Sequence, residues 1–164
     1  MIEAVIFDLD RTLIHLPIDY EELFIEFKKI MHTEEVRPLV DTVSKLDPIT
    51  KGKVFKVWDK AELSVSERIT INEEGVRIYE EYSRKPKALV TLQGRKVVEI
   101  ILERFSLFFD AVVTREDALK RDEQLRIASE KLKTQLQNLL FVGNTDGDYA
   151  AARKAGCQFL TVSK

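Results

Sequence analysis

Cysteine is almost missing from this chain of 164 residues, with Cys157 the sole example. A single thiol forms no intramolecular disulfide and no thiol-rich metal site, which suits a reducing compartment, so a cytoplasmic location is expected. Long apolar runs are missing as well. The N-terminal run Ala4-Val5-Ile6-Phe7 is too short for the apolar core of a secretory signal and stops at Asp8. No later stretch nears the roughly 20 apolar residues of a membrane span, so no membrane partner is expected. Neither sign of charge is in excess. Lys and Arg number 26 against 28 Asp and Glu, a net charge of -2, and the two signs are interspersed rather than gathered into tails. Charge alone therefore recruits no nucleic acid. What is present is core-forming material, 45% of the residues being hydrophobic. That supports one ordinary core with a small satellite bundle, acting as a monomer or homodimer, and is short for two full domains.

Glu3 to Asp8 reads as a buried strand, because a short run rich in Val, Ile and Phe ends abruptly in polar residues. The pattern recurs at Lys87 to Leu92, Asp110 to Thr114, Leu139 to Asn144 and Gln158 to Ser163. Helical patterns separate these runs. Val97, Ile101 and Phe105 fall four apart, Leu125, Ala128 and Leu132 share a face, and Asp148 to Ala155 closes on Gly156. Strands apolar on both alternations and spaced by amphipathic helices predict an α/β fold, a Rossmann-like parallel sheet of about five strands with helices on both faces.

The section from His15 to Ser83 holds no convincing strand. Asp19 can cap a helix whose apolar face is Leu23, Phe27, Ile30 and Met31. Further stripes are Val36, Leu39, Val40 and Val43, then Val54, Trp58 and Ala61, then the weaker Val76, Tyr79 and Tyr82. We expect residues 1–15 and 84–164 to form the α/β core and residues 16–83 an inserted all-helical cap. The apolar residues of that cap read as bundle core, so no substrate contact is assigned to it.

In open parallel sheets ligands sit outside the carboxyl ends of the strands, and there the polar residues gather. The first strand ends Asp8-Leu9-Asp10-Arg11-Thr12, two carboxylates suited to metal binding or to a division between nucleophile and proton donor. Standing alone, that run reads equally well as a turn. The second strand ends at Thr91, a hydroxyl able to donate to an anion, before Gly94 opens a helix whose amides favour negative charge. Cations follow at Lys120-Arg121. The fourth strand ends in the oxygen-rich turn Asn144-Thr145-Asp146-Gly147-Asp148, which could hold a hard cation such as Mg2+.

That ordered set resembles the haloacid dehalogenase superfamily, which carries Asp-x-Asp-x-Thr after the first strand, Ser or Thr after the second, a Lys before a later helix and an acidic turn after the fourth. The corresponding positions are Asp8, Asp10 and Thr12, then Thr91, Lys120, and Asn144 to Asp148. The match covers the chain outside residues 16–83, where the family often inserts a helical cap. The resemblance implies a magnesium-dependent phosphatase acting on a small phosphorylated metabolite, similar to phosphoglycolate phosphatases. Asp8 would be the nucleophile and Asp10 the acid and base. Thr91 and Lys120 would hold phosphate oxygens, and Asp8, Asp10, Asn144 and Asp148 the metal.

Two departures stand out. Asn144 replaces a residue that is usually acidic, and Lys120 is followed by Arg121 and Asp122 rather than by Pro. Distance to the helix containing Leu125 and Leu132 favours Lys120 for the phosphate, and a shift of one residue would hand the role to Arg121. An acid at Asp10 argues against dehalogenation, since halide needs no proton. A phosphomutase, or a degenerate member that binds a phosphorylated ligand or partner without efficient turnover, stays open as an alternative.

Overall fold

The structure is a computed structural model that describes residues 1–163. In chain order it runs β1 (Ala4–Phe7), β2 (Ile14–His15), α1 (Tyr20–Met31), α2 (Leu39–Ser44), α3 (Pro48–Ser64), β3 (Thr70–Ile71), α4 (Glu73–Glu81), β4 (Lys87–Val90), α5 (Arg95–Arg104), β5 (Ala111–Val113), α6 (Arg121–Leu132), β6 (Leu139–Gly143), α7 (Asp146–Ala155) and β7 (Gln158–Thr161).

Five strands form one parallel sheet in the order β5-β4-β1-β6-β7. Register is fixed at its centre, where Ile6 lies opposite Ala88 on one side and Phe141 on the other. Successive side chains point to opposite faces, which explains the uninterrupted apolar runs. Val5, Phe7 and Leu89 pack against Val97, Val98 and Ile101 of α5. Ala4, Ile6 and Phe141 pack on the other face against Leu125 and Ala128 of α6 and Ala152 of α7. The expected α/β fold with helices on both faces is the one observed.

The helical section has its own apolar core of Leu23, Phe27, Val36, Val43, Val54 and Trp58. Local chemistry sets its helix starts. Asp19 accepts the Glu22 amide at 3.1 Å, and Asp47 accepts the Thr50 amide at 3.0 Å with Pro48 opening α3.

Two features differ from the sequence pattern. Thr70–Ile71 forms a strand where none was expected, pairing antiparallel with Ile14–His15. A ladder of two residues is too short to leave a periodic signal. The stripe Val76, Tyr79 and Tyr82, grouped with the inserted bundle on sequence, packs instead against the sheet, with Ile78 buried in the cluster of Val5 and Phe7. Helix α4 comes in close. A Cβ on Gly75 would lie 1.6 Å from the main-chain oxygen of Thr12, so only glycine lets α4 press on the loop that follows β1. Among the described residues no helix is long and apolar enough to cross a membrane.

Candidate active site

β1 lies between β4 and β6, so the chain leaves it toward one edge of the sheet and returns on the other. That is the switch point where a crevice opens above the strand ends. A tight loop shapes its floor. The amides of Thr12, Leu13 and Ile14 all point to the Leu9 carbonyl, and Arg11 takes a left-handed conformation at φ 64°.

Asp8 is 6% exposed and Asp148 4%. Between them lies Arg121, whose Nη2 donates to Asp8 Oδ1 and whose Nε donates to Asp148 Oδ1, each at 3.1 Å. Gln124, one turn along α6, accepts from Arg121 Nη1 at 2.5 Å. Its own amide donates to the main-chain oxygens of Thr91 and Ala118, both at 2.8 Å. Burial drives the Asp8 carboxyl up to about 7, against the pull of Arg121 and with a further push from Asp148. Burial raises the Asp10 carboxyl too, and its Oδ1 accepts the Leu16 amide at 3.0 Å.

Asn144 follows β6, and its Oδ1 accepts from Thr12 Oγ1 at 3.3 Å. Its Nδ2 is buried with no partner. Thr145 caps α7 by accepting the Asp148 amide at 2.9 Å, and Asp148 accepts the Asn144 amide at 3.1 Å. Asp146 is exposed at the helix start.

The structure therefore brings Asp8, Asp10, Asn144 and Asp148 around one cavity of about 680 Å³. Thr91 is fully buried and turned toward Gln93, donating to its Oε1 and accepting its amide, and it does not line the cavity. Lys120 precedes α6, exposed at the mouth, and the cation that meets Asp8 is Arg121. Sequence reasoning missed Gln124, for which the one signal was a polar residue three positions after Arg121 on an otherwise apolar face.

Among the described residues no three His, Cys, Asp or Glu side chains converge on a metal position. The candidate donors on the cavity wall are the carboxylates of Asp8 and Asp148, with Asp10 and the Asn144 amide beside them. All are hard oxygen donors, and Mg2+ commonly rests on one or two carboxylates completed by water and substrate phosphate. Burial keeps the Asp8 carboxyl raised even beside Arg121, and Asp148 adds to it. These residues fit the ion.

Fold and site together define an α/β protein with buried aspartates gathered at a sheet switch point. The chain belongs to the haloacid dehalogenase-like hydrolase family, whose pattern matches residues 5–162. Solved structures share the fold. A haloacid dehalogenase-like hydrolase from Streptococcus pneumoniae is 18% identical with a TM-score of 0.72, covering 99% of this chain and 85% of its own. A protein from Lactobacillus plantarum, provisionally named a phosphoglycolate phosphatase, is 20% identical at 0.72, covering 98% and 86%. CbbY from Rhodobacter sphaeroides, solved with phosphate, is 16% identical at 0.70, covering 100% and 87%. No curated protein matches the chain by sequence.

Proposed function

We propose that the chain is a magnesium-dependent phosphatase that hydrolyses a small phosphorylated metabolite through an aspartyl-phosphate on Asp8. The observation that carries this reading is the pair of buried carboxylates, Asp8 and Asp148, bridged by Arg121 at the head of β1. Asp8 attacks phosphorus and expels the alcohol, and water later attacks phosphorus to free the aspartate. Asp10 gives a proton to the leaving oxygen and then takes one from that water; its raised carboxyl suits the donor role. Arg121 pairs with Asp8 at rest and holds equatorial phosphate oxygens as charge builds, while Lys120 at the mouth draws the dianion in. Thr91 supports this arrangement from beneath by ordering its loop through Gln93. Asp8, Asp148, the Asp10 carbonyl and Asn144 would hold Mg2+, which when bound offsets the repulsion between Asp8 and the phosphate. Residues 16–83 form the cap in this reading, with α1 to α3 above the crevice and α4 docked on the sheet.

Asn144 favours a second reading, a degenerate member that binds a phosphorylated ligand without efficient turnover. Phosphate release from p-nitrophenyl phosphate, with and without Mg2+, separates the two. Release should require the metal and fall at least a thousandfold in Asp8→Asn, on the order of 4 kcal/mol of lost transition-state stabilisation. Wild-type turnover by that variant would remove Asp8 as nucleophile.

A further inference from the structure

The cavity above Asp8 is lopsided in charge. Every cation on its wall belongs to the α/β side: Arg11, Lys120, Arg121 and Lys154. The helical section lines it with Tyr20, Leu39, Val40 and Trp58, and its only charged contribution is the acidic Asp41. Leu92 continues the apolar wall from the sheet side. Trp58 is held rigid there, 1% exposed, edge-on to Phe27 and with the Arg115 guanidinium 4.3 Å from its ring centroid. At about 680 Å³ the space exceeds what a phosphate needs and falls in the range of sites for drug-sized ligands.

We propose that this cavity takes a monophosphate ester of an uncharged apolar alcohol bearing an aromatic ring, and discriminates against substrates with a second anionic group; the proposal rests on the phosphatase reading of the same site. The phosphate meets the cations and Asp8, while the alcohol's body lies against Tyr20, Leu39 and Val40, with the buried Trp58 behind them. A carboxylate or second phosphate placed on that wall would lose its hydration to apolar surface and face Asp41 with no cation to pair with. An aromatic group there gains from burial and from aromatic edges, an advantage expected at about tenfold or more in affinity.

Two phosphonates that differ only at the far end test this, since neither can be hydrolysed. In magnesium buffer, calorimetry should give 2-phenylethylphosphonate a Kd at least tenfold below that of 3-phosphonopropionate. Equal or tighter binding of the carboxylate overturns the proposal. Val40→Lys places a cation on the half-buried wall and should cut the preference about tenfold, with the thermal midpoint checked for folding. An unaltered preference in the folded variant means that this wall does not meet the ligand, and it overturns the assignment. The isosteric esters, benzyl phosphate and phosphoglycolate, separate the two levels of the argument. If neither is hydrolysed while the phosphonate preference holds, the phosphatase reading fails and the binding assignment stands. If both are hydrolysed and bound alike, the binding assignment fails alone. If neither phosphonate binds, the binding assignment fails, and hydrolysis of the esters alone decides the phosphatase reading.

Discussion

Asp8 sets burial against charge, and the conflict is readable in stability. Its folded carboxyl titrates at about 7, against an ordinary value near 4 when unfolded. Between those values the folded chain binds more protons than the unfolded one. The stability linked to Asp8 is therefore fully present below about pH 4 and is lost as pH rises through 7. Asp8→Asn removes this titration. In EDTA the variant should be more stable than wild type at pH 8, by no more than about 4 kcal/mol, with the gap closing toward pH 4. Thermal midpoints across that range measure it, and a gap that does not close with falling pH would point to another cause. Asn144 poses the opposite case. Its buried Nδ2 has no partner, and Asn144→Asp exchanges that donor for a charge beside Asp148. Half-saturation by Mg2+ should drop about tenfold, for about 1.4 kcal/mol of added attraction, while the metal-free variant melts lower. A magnesium titration of the midpoint reads both effects. An unmoved half-saturation would take Asn144 out of the metal site.

Among the elements, α3 is joined to the sheet by charge rather than by apolar contact alone. Arg115, just past β5 and 1% exposed, donates to Glu62 Oε2 at 2.8 Å and to the Leu92 carbonyl at 3.0 Å, and pairs with Asp59. Glu62 also accepts the Gly94 amide at 3.1 Å, capping the turn that opens α5. Gly94 has no Cβ because Asp59 and Arg115 fill that space. Burial raises the Glu62 carboxyl and Arg115 lowers it, with burial the larger effect. Removing one partner strands the other without water. Glu62→Ala should cost about 3–5 kcal/mol in urea denaturation, and the double change Glu62→Leu with Arg115→Met should cost less than Glu62→Ala alone. Additive losses would show that the pair does not act as a unit. The same bonds order the loop from Thr91 to Gly94, so the helical section reaches the cavity through that loop as well as through its own lining residues.

At the scale of the molecule, a parallel sheet supplies carboxylates and cations to one cavity, and the helical section lines the same cavity with mostly uncharged side chains. Much of this was legible along the chain. Strand sequence, burial on both faces and the polar residue ending each strand are local properties, written in runs of five or six residues. The runs Asp8 to Thr12 and Asn144 to Asp148, which line one cavity through Asp8, Asp10, Asn144 and Asp148, stood out because the strand-end rule needs no knowledge of packing. The choice between Lys120 and Arg121 could not be made that way. Neighbours on a helix point about 100° apart, so the rotation of α6 decides which faces Asp8. That rotation is set by Leu125 and Ala128 against the sheet. Thr91 shows the same limit, since its position after β4 was evident but the turn of its hydroxyl toward Gln93 depended on a side chain two residues on. Glu62 and Arg115 lie 53 residues apart and carry no shared motif. Residue types, their order and the apolar period were decided by the sequence itself. Which side chains meet, and which cation faces Asp8, was decided only when the helices docked, because rotation about a helix axis is fixed by packing and leaves no mark on periodicity.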